Sequence, residues 1–270
     1  MQPLSPERVA EWLARCVGVD GSALQQAINP KTGPEREVWD CTFTSGGGQQ
    51  AAVLAIFKPG SLDTVNTSLP PAQVAQKCAL AIAELPGLGV PTARLLGWAV
   101  SAGEAAVASE RITPTAWASA VRIQAAGVLA RIHSLPETSL SEALQDLARR
   151  SDPREQRTTG GDGPRSPLRT LVHGDYFSAN ILPVPDGLRV IDWETLGWGD
   201  PMWDLGFLIG ADRDVTQEEQ EAVVEQYGSH APVDRNCLAW HRQRWADWWE
   251  QRDQELVDRP IQATQLPAPR

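Results

Sequence analysis

The sequence predicts an α+β protein in two unequal parts, a small sheet-bearing part over residues 1–112 and a larger, mostly helical part over residues 113–270. Three observations carry that division. Short β-like runs separated by turn residues fill residues 23–58. A helical stretch and two more strand-like runs continue to Ile112. From Thr113-Pro114 onward the apolar residues recur at helical spacing.

Ser5-Pro6-Glu7 opens a first helix, with Ser as N-cap, Pro at the first helical position and a carboxylate near the positive end of the macrodipole. Val9, Trp12, Leu13 and Cys16 then share one face. Strands are expected over residues 24–28, 37–43 and 51–57, forming a twisted antiparallel sheet, with Gly46-Gly47-Gly48 as the hairpin turn between the last two. Residues 71–85 read as a helix, and 91–100 and 105–112 as two further strands. Val121, Ala125, Val128 and Ile132 form one face of a helix ending at His133-Ser134, and Ser139 with Glu142 offers a capping box for another through Arg150. The Gly- and Pro-broken stretch 151–167 reads as an exposed loop. Residues 216–257 are again helical, with Leu238, Trp245, Trp248, Trp249 and Leu256 on a wide apolar face, and the tail from Pro260 is expected to be loosely held.

Composition removes several functional classes. The chain has 270 residues, 24 Lys and Arg against 34 Asp and Glu, and a net charge of −10. That balance disfavours nucleic acid and anionic membranes as partners, since both attract basic stripes. No stretch approaches the roughly 18 apolar residues of a membrane span, and the first residues lack a secretory signal, so a soluble cytoplasmic protein is expected. Four scattered cysteines without C-x-x-C spacing argue against a zinc knuckle or a disulfide framework and for reduced thiols. Tryptophan is in excess: 11 residues, more than Phe (4) and Tyr (2) together.

The chemistry concentrates in His173-Gly174-Asp175-Tyr176-Phe177-Ser178-Ala179-Asn180, followed by Ile191-Asp192-Trp193-Glu194. An apolar pair delivers His-Gly-Asp into a loop, and Asn180 closes it. A hairpin turning at Asp186-Gly187 then returns Asp192 beside Asn180. Three oxygen-bearing side chains would converge there. Hard oxygen ligands suit Mg²⁺ held jointly with substrate phosphates, and a carboxylate set apart from the metal pair can receive a proton from a substrate hydroxyl. That division of labour is the phosphoryl-transfer template.

His173-Gly174-Asp175-x-x-x-x-Asn180 with Ile191-Asp192-Trp193-Glu194 resembles the paired motifs of the aminoglycoside phosphotransferase and choline kinase family, small-molecule kinases with a bilobal, protein-kinase-like fold. Leu129-Ala130-Arg131-Ile132-His133 resembles that family's helix before the catalytic loop, and Gly199-Asp200-Pro201-Met202-Trp203-Asp204-Leu205 its G-D-P-x-x-D-L continuation. The resemblance implies that Asp175 is the catalytic base or acceptor-orienting residue, and that Asn180 and Asp192 are Mg²⁺ ligands. His173 and Asp204 would hold the loop. Lys58, after the third strand, would reach the α- and β-phosphates of ATP or GTP.

Two departures from the family pattern stand out. Residues 29–36, where a phosphate-covering loop belongs, carry one Gly and two Pro. The helix over 71–85 places Gln76 where the acidic partner of that lysine is expected, and its one acidic residue, Glu84, lies near its end, so the partner stays unassigned. The expected acceptor is a cationic, hydroxylated small molecule such as an aminoglycoside, met by C-terminal Trp and acidic residues. A choline- or ethanolamine-type kinase and a non-catalytic binding protein of the same fold are the alternatives. A metal-dependent phosphoesterase fits less well, because the chain has four His and no H-x-H pair. A protein kinase would need H-R-D and D-F-G where this chain has His173-Gly174-Asp175 and Asp192-Trp193-Glu194.

Overall fold

A computed structural model describes residues 3–32, 36–59, 69–151, 153, 163–213 and 215–258, with the side chains of 30–32, 248, 249 and 251–258 outside that description. The centre of the expected phosphate loop (33–35), most of the stretch 151–167, the tail from Pro260 and the side chains of Trp248, Trp249 and Leu256 therefore lie outside the described residues.

The first part is a five-stranded antiparallel sheet in the order β1-β2-β3-β5-β4. Its strands are β1 (Leu24–Thr32), β2 (Arg36–Ser45), β3 (Gly48–Phe57), β4 (Leu95–Ser101) and β5 (Glu104–Glu110). Ser45 pairs with Gly48, leaving Gly46 and Gly47 as a two-residue turn. Their φ angles of 58° and 81° are the left-handed pair that a tight hairpin needs, which explains the glycine run. Strand alternation divides the sheet into two faces. Trp39, Cys41 and Phe43 of β2 and Leu54 and Ile56 of β3 pack under α1 (Pro6–Val17), against Val9, Trp12 and Leu13. Gly97 of β4 passes so close to the end of α1 that a Cβ there would stand 1.8 Å from the Cys16 carbonyl oxygen.

The opposite face meets α2 (Pro71–Glu84), and the core there continues without a break into the second part. That part contains α3 (Ser119–His133), α4 (Glu142–Arg149), α5 (Pro201–Gly210), α6 (Gln217–Gly228) and α7 (Arg235–Asp258), with two small antiparallel pairs. One pair is β6 (Thr170–Val172) with β9 (Gly197–Gly199); the other is β7 (Ile181–Val184) with β8 (Gly187–Val190). Hydrogen bonds tie the parts together, among them Val190 N–H to the Pro91 carbonyl at 2.8 Å, while within the second part Thr115 N–H donates to the Pro183 carbonyl at 2.8 Å.

Two expectations change in detail. The cap of α4 is Ser141, whose hydroxyl accepts from Leu144 N–H, and Ser139 instead ends a preceding 3₁₀ turn. Glu84 sets that start by accepting from both the Ser141 N–H (2.9 Å) and hydroxyl (2.6 Å). The C-terminal helical stretch is two helices, interrupted after Gly228. Gly206 and Gly210 on α5 let α7 approach: a Cβ at either would come within 3 Å of His241 Cβ (2.7 Å) or Trp245 Cβ (2.9 Å). All four cysteines are free thiols and buried.

Candidate active site

β6 delivers His173-Gly174-Asp175 into a loop whose backbone is held from all sides. Gly174 has φ +81°, and a Cβ there would lie 2.8 Å from the Thr195 carbonyl oxygen, so only glycine fits. Asp204, in the first turn of α5 and fully buried, accepts from the backbone N–H of both His173 (2.7 Å) and Gly174 (2.9 Å). Its Oδ2 is also 3.3 Å from His133 Nε2, and His133 Nδ1 meets the Tyr227 hydroxyl at 2.7 Å, so α3, α5 and α6 all brace the loop. The His173 ring accepts at Nδ1 from Asp175 N–H (3.2 Å), and its Nε2 lies 2.9 Å from the Ile191 carbonyl, which assigns the proton to Nε2. Imidazole there is a brace between the two motifs.

Asp175 and Asn180 come together as expected: Asn180 Nδ2 donates to the Asp175 carbonyl (2.8 Å) and to its carboxylate Oδ2 (3.1 Å). With its nitrogen committed, the amide oxygen is the Asn180 atom left to face a cation. Ile181 pairs with Val190, and Ile191 N–H donates to the Asn180 carbonyl (3.0 Å), which carries Asp192 back to the same end of the hairpin. Asp192 adopts a left-handed conformation, φ 68° and ψ 58°, which costs a non-glycine residue about 1 kcal/mol. Strain at this position marks a carboxylate aimed by its surroundings.

A basic residue that sequence reasoning did not single out stands on Asp192. Arg36, the first residue of β2, donates through Nη1 to Asp192 Oδ1 (2.5 Å), through Nη2 to Asp192 Oδ2 (3.1 Å) and through Nη1 to Glu194 (2.7 Å). Burial alone would lower the guanidinium pKa, but the two carboxylates outweigh it and hold it above the ordinary arginine value.

Lys58 is not brought to this group. Its ammonium bonds to Glu37, which is fully buried and also accepts from Leu4 N–H (3.1 Å) and the Trp39 indole (2.9 Å). Burial pushes the Glu37 carboxyl up, but those three donors hold it below the ordinary glutamate value. β2 alternation places Glu37 with Trp39 on the α1 face, opposite Arg36, so the acidic partner of Lys58 is on the neighbouring strand and not on α2. Where the family pattern places an acid, α2 buries Lys77, whose Nζ donates to the Ser151 hydroxyl (2.5 Å) and the Leu196 carbonyl (2.8 Å). α2 is thereby fastened to the chain just beyond Asp192-Trp193-Glu194.

Desolvation lowers the Lys77 pKa to about 8. The unfolded chain then holds more protons between about pH 8 and the ordinary lysine value, so this residue makes stability rise with pH across that window, by roughly 3 kcal/mol in full. The thiols of Cys16, Cys41 and Cys237, pushed to about 12 by burial, act in the opposite sense above their ordinary value. The measurable quantity is thus the difference between wild type and Lys77→Met in urea unfolding at successive pH values. Lys77→Met is expected to match or exceed wild-type stability at pH 7 and to lose that advantage above pH 8. A pH-independent difference would refute the account.

Beside the loop lies a cavity of about 590 Å³, bordered by Ile209, Asp212, Arg213, Arg242, Trp245 and Glu250. Its wall is continuous with the loop, because Phe177 stacks on Phe207 (4.9 Å) and Phe207 on Trp245 (4.2 Å). Ser178 also donates to Asp212 (2.8 Å), whose other oxygen accepts from buried Arg122 (2.8 Å). The tryptophans divide accordingly: Trp193 and Trp203 are core, and Trp245 borders the cavity.

Among the described residues no three His, Cys, Asp or Glu side chains are grouped to hold a metal by themselves. The oxygen atoms of Asn180 and Asp192 nonetheless fit Mg²⁺, a hard cation that takes one or two protein oxygens and completes its shell with water and phosphate. No helix among the described residues is long and apolar enough to cross a membrane.

Comparison with known proteins agrees with this architecture. No curated protein matches the chain in sequence. Among solved structures, an AMP-bound spectinomycin phosphotransferase is similar at TM-score 0.60 and 15% identity, over 95% of this chain and 92% of that one. A macrolide 2'-phosphotransferase from Brachybacterium faecium is similar at 0.58 and 19%, over 88% and 87%. A choline kinase from Streptococcus pneumoniae is similar at 0.56 and 18%, over 88% of each chain. At such identities the likeness is one of fold, the bilobal kinase-like arrangement of a small antiparallel sheet and a larger helical part. The model of the phosphotransferase enzyme family matches residues 38–248, and the chain belongs to that family.

Proposed function

We propose that this phosphotransferase moves the γ-phosphoryl group of ATP or GTP to a hydroxyl of a small molecule, with Mg²⁺ as cofactor. The observation that carries the reading is the Asp175–Asn180 hydrogen-bonded pair on a loop fixed by Asp204, with Asp192 returned to the same end of the hairpin. The nucleotide would lie between residues 1–112 and 113–270. Asn180 and Asp192 would hold Mg²⁺, which when bound offsets the negative charge of the phosphates. Asp175 orients the acceptor hydroxyl and receives its proton as the new oxygen–phosphorus bond forms and the bond from γ-phosphorus to the β-phosphate oxygen breaks, releasing the nucleoside diphosphate. Asn180 Nδ2 keeps the Asp175 carboxylate in one rotamer, and the Gly174 and His173 braces limit its movement.

The acceptor would enter the cavity beside the Phe177-Phe207-Trp245 stack. A cationic, hydroxylated amine is the class the acidic composition favours, and Glu250 and the Trp245 face would receive it. Arg213 and Arg242 border the same cavity and Asp212 is already paired with Arg122, so a single cationic group beside an apolar face fits better than a polycation. The test is nucleotide turnover against aminoglycosides, macrolides, choline, ethanolamine and simple amino sugars. At least one is expected to raise turnover and to appear as a phosphate monoester by mass spectrometry. No stimulation together with no binding of Mg-nucleotide would sink the proposal.

A further inference from the structure

Arg36 ends the segment where a phosphate-covering loop is expected, in a chain whose loop is poor in glycine and whose expected phosphate lysine, Lys58, sits with Glu37 on the other face of the sheet. Its guanidinium engages both oxygens of Asp192, at 2.5 and 3.1 Å, and reaches Glu194 at 2.7 Å. The arginine side chain is 15% exposed and the two carboxylates 19% and 12%, so the trio sits largely out of water. Two consequences follow. With a guanidinium on both of its oxygens, Asp192 meets a second cation against charge repulsion and with part of its lone pairs taken, and Glu194 keeps the guanidinium close by once it lets go. A planar guanidinium binds phosphate as well as carboxylate through paired N–H donors, so arriving phosphates can replace Asp192 as its partner.

We propose that Arg36 is the phosphate-binding cation of this chain: it bonds Asp192 before nucleotide arrives and passes to the nucleotide phosphates, still tethered by Glu194, when Asp192 turns to the metal. This rests on the phosphotransferase reading above. The competing view makes Arg36 a plain tie between β2 and the Asp192 segment.

The two views separate in binding measurements that need no turnover. Mn²⁺ binding to nucleotide-free protein is followed by electron paramagnetic resonance, and ATP binding without metal by calorimetry, for wild type, Arg36→Gln and Arg36→Lys. Arg36→Gln is expected to bind Mn²⁺ roughly tenfold more tightly and metal-free ATP roughly tenfold more weakly. Arg36→Lys keeps the charge and loses the fork, serves as the folding control, and should stay within a few-fold of wild type for ATP. A tie alone predicts both affinities falling together or neither changing, and either result overturns the proposal, as does a tighter Mn²⁺ site with unchanged ATP affinity. Wild-type protein that binds neither ligand would overturn the phosphotransferase reading too. Wild-type binding of both with Arg36→Gln unchanged would overturn this proposal alone.

Discussion

Asp175→Asn is expected to abolish measurable phosphorylation of the acceptor while leaving nucleotide binding and the melting temperature close to wild type. The asparagine has the same shape, and its amide oxygen can still accept the Asn180 Nδ2 donor that now reaches the Asp175 carboxylate at 3.1 Å. What disappears is a group able to take the hydroxyl proton. General-base assistance is typically worth about 10² to 10⁴ in rate, so kcat should fall by at least that range while KM for nucleotide changes little. The split is diagnostic. Equal loss of binding and turnover would mean that Asp175 serves the nucleotide, and a variant with tenfold reduced kcat or better would show that another group removes the proton.

The parts of this arrangement that were legible from the residues themselves join partners close together in the chain, whereas the tie from Asp204 to the loop was legible only through the family resemblance. Asp175 and Asn180 are five residues apart, and a short hairpin returns Asp192, so local turn geometry suffices to unite them. The five strands, α2 and α3 were legible through periodicity alone. Arg36 and Asp192 are separated by 156 residues, and Lys77 and Leu196 by 119. No local signal links such pairs. The Glu37–Lys58 pair is an intermediate case. Alternation through Glu37, Trp39, Cys41 and Phe43 puts the carboxylate on the α1 face, and with antiparallel β2–β3 pairing this is enough to bring Lys58 to it. Family analogy directs attention to α2 instead, where the partner is absent. Tryptophan count was legible but its meaning was not, since the same indole that fills a core at Trp193 borders a cavity at Trp245, and only the packing distinguishes them.

Asp204→Ala is expected to be the most destabilising single change at the site. One fully buried carboxylate satisfies the backbone N–H groups of His173 and Gly174 and lies against His133. Removing it strands two buried donors at once. A loss of about 3–5 kcal/mol is expected from urea unfolding, with lost transfer activity as a secondary effect of a displaced Asp175. Asp204→Asn distinguishes structure from charge. Its single carbonyl oxygen can serve one of the two N–H groups, whereas its amide nitrogen would face the other donor, so it should be milder than alanine but still destabilised. If Asp204→Ala unfolds like wild type and only the rate falls, then Asp204 acts on the substrate and the loop must be held by Trp203 and Thr195, which already bond the Gly174 and His173 carbonyls at 3.1 and 2.7 Å.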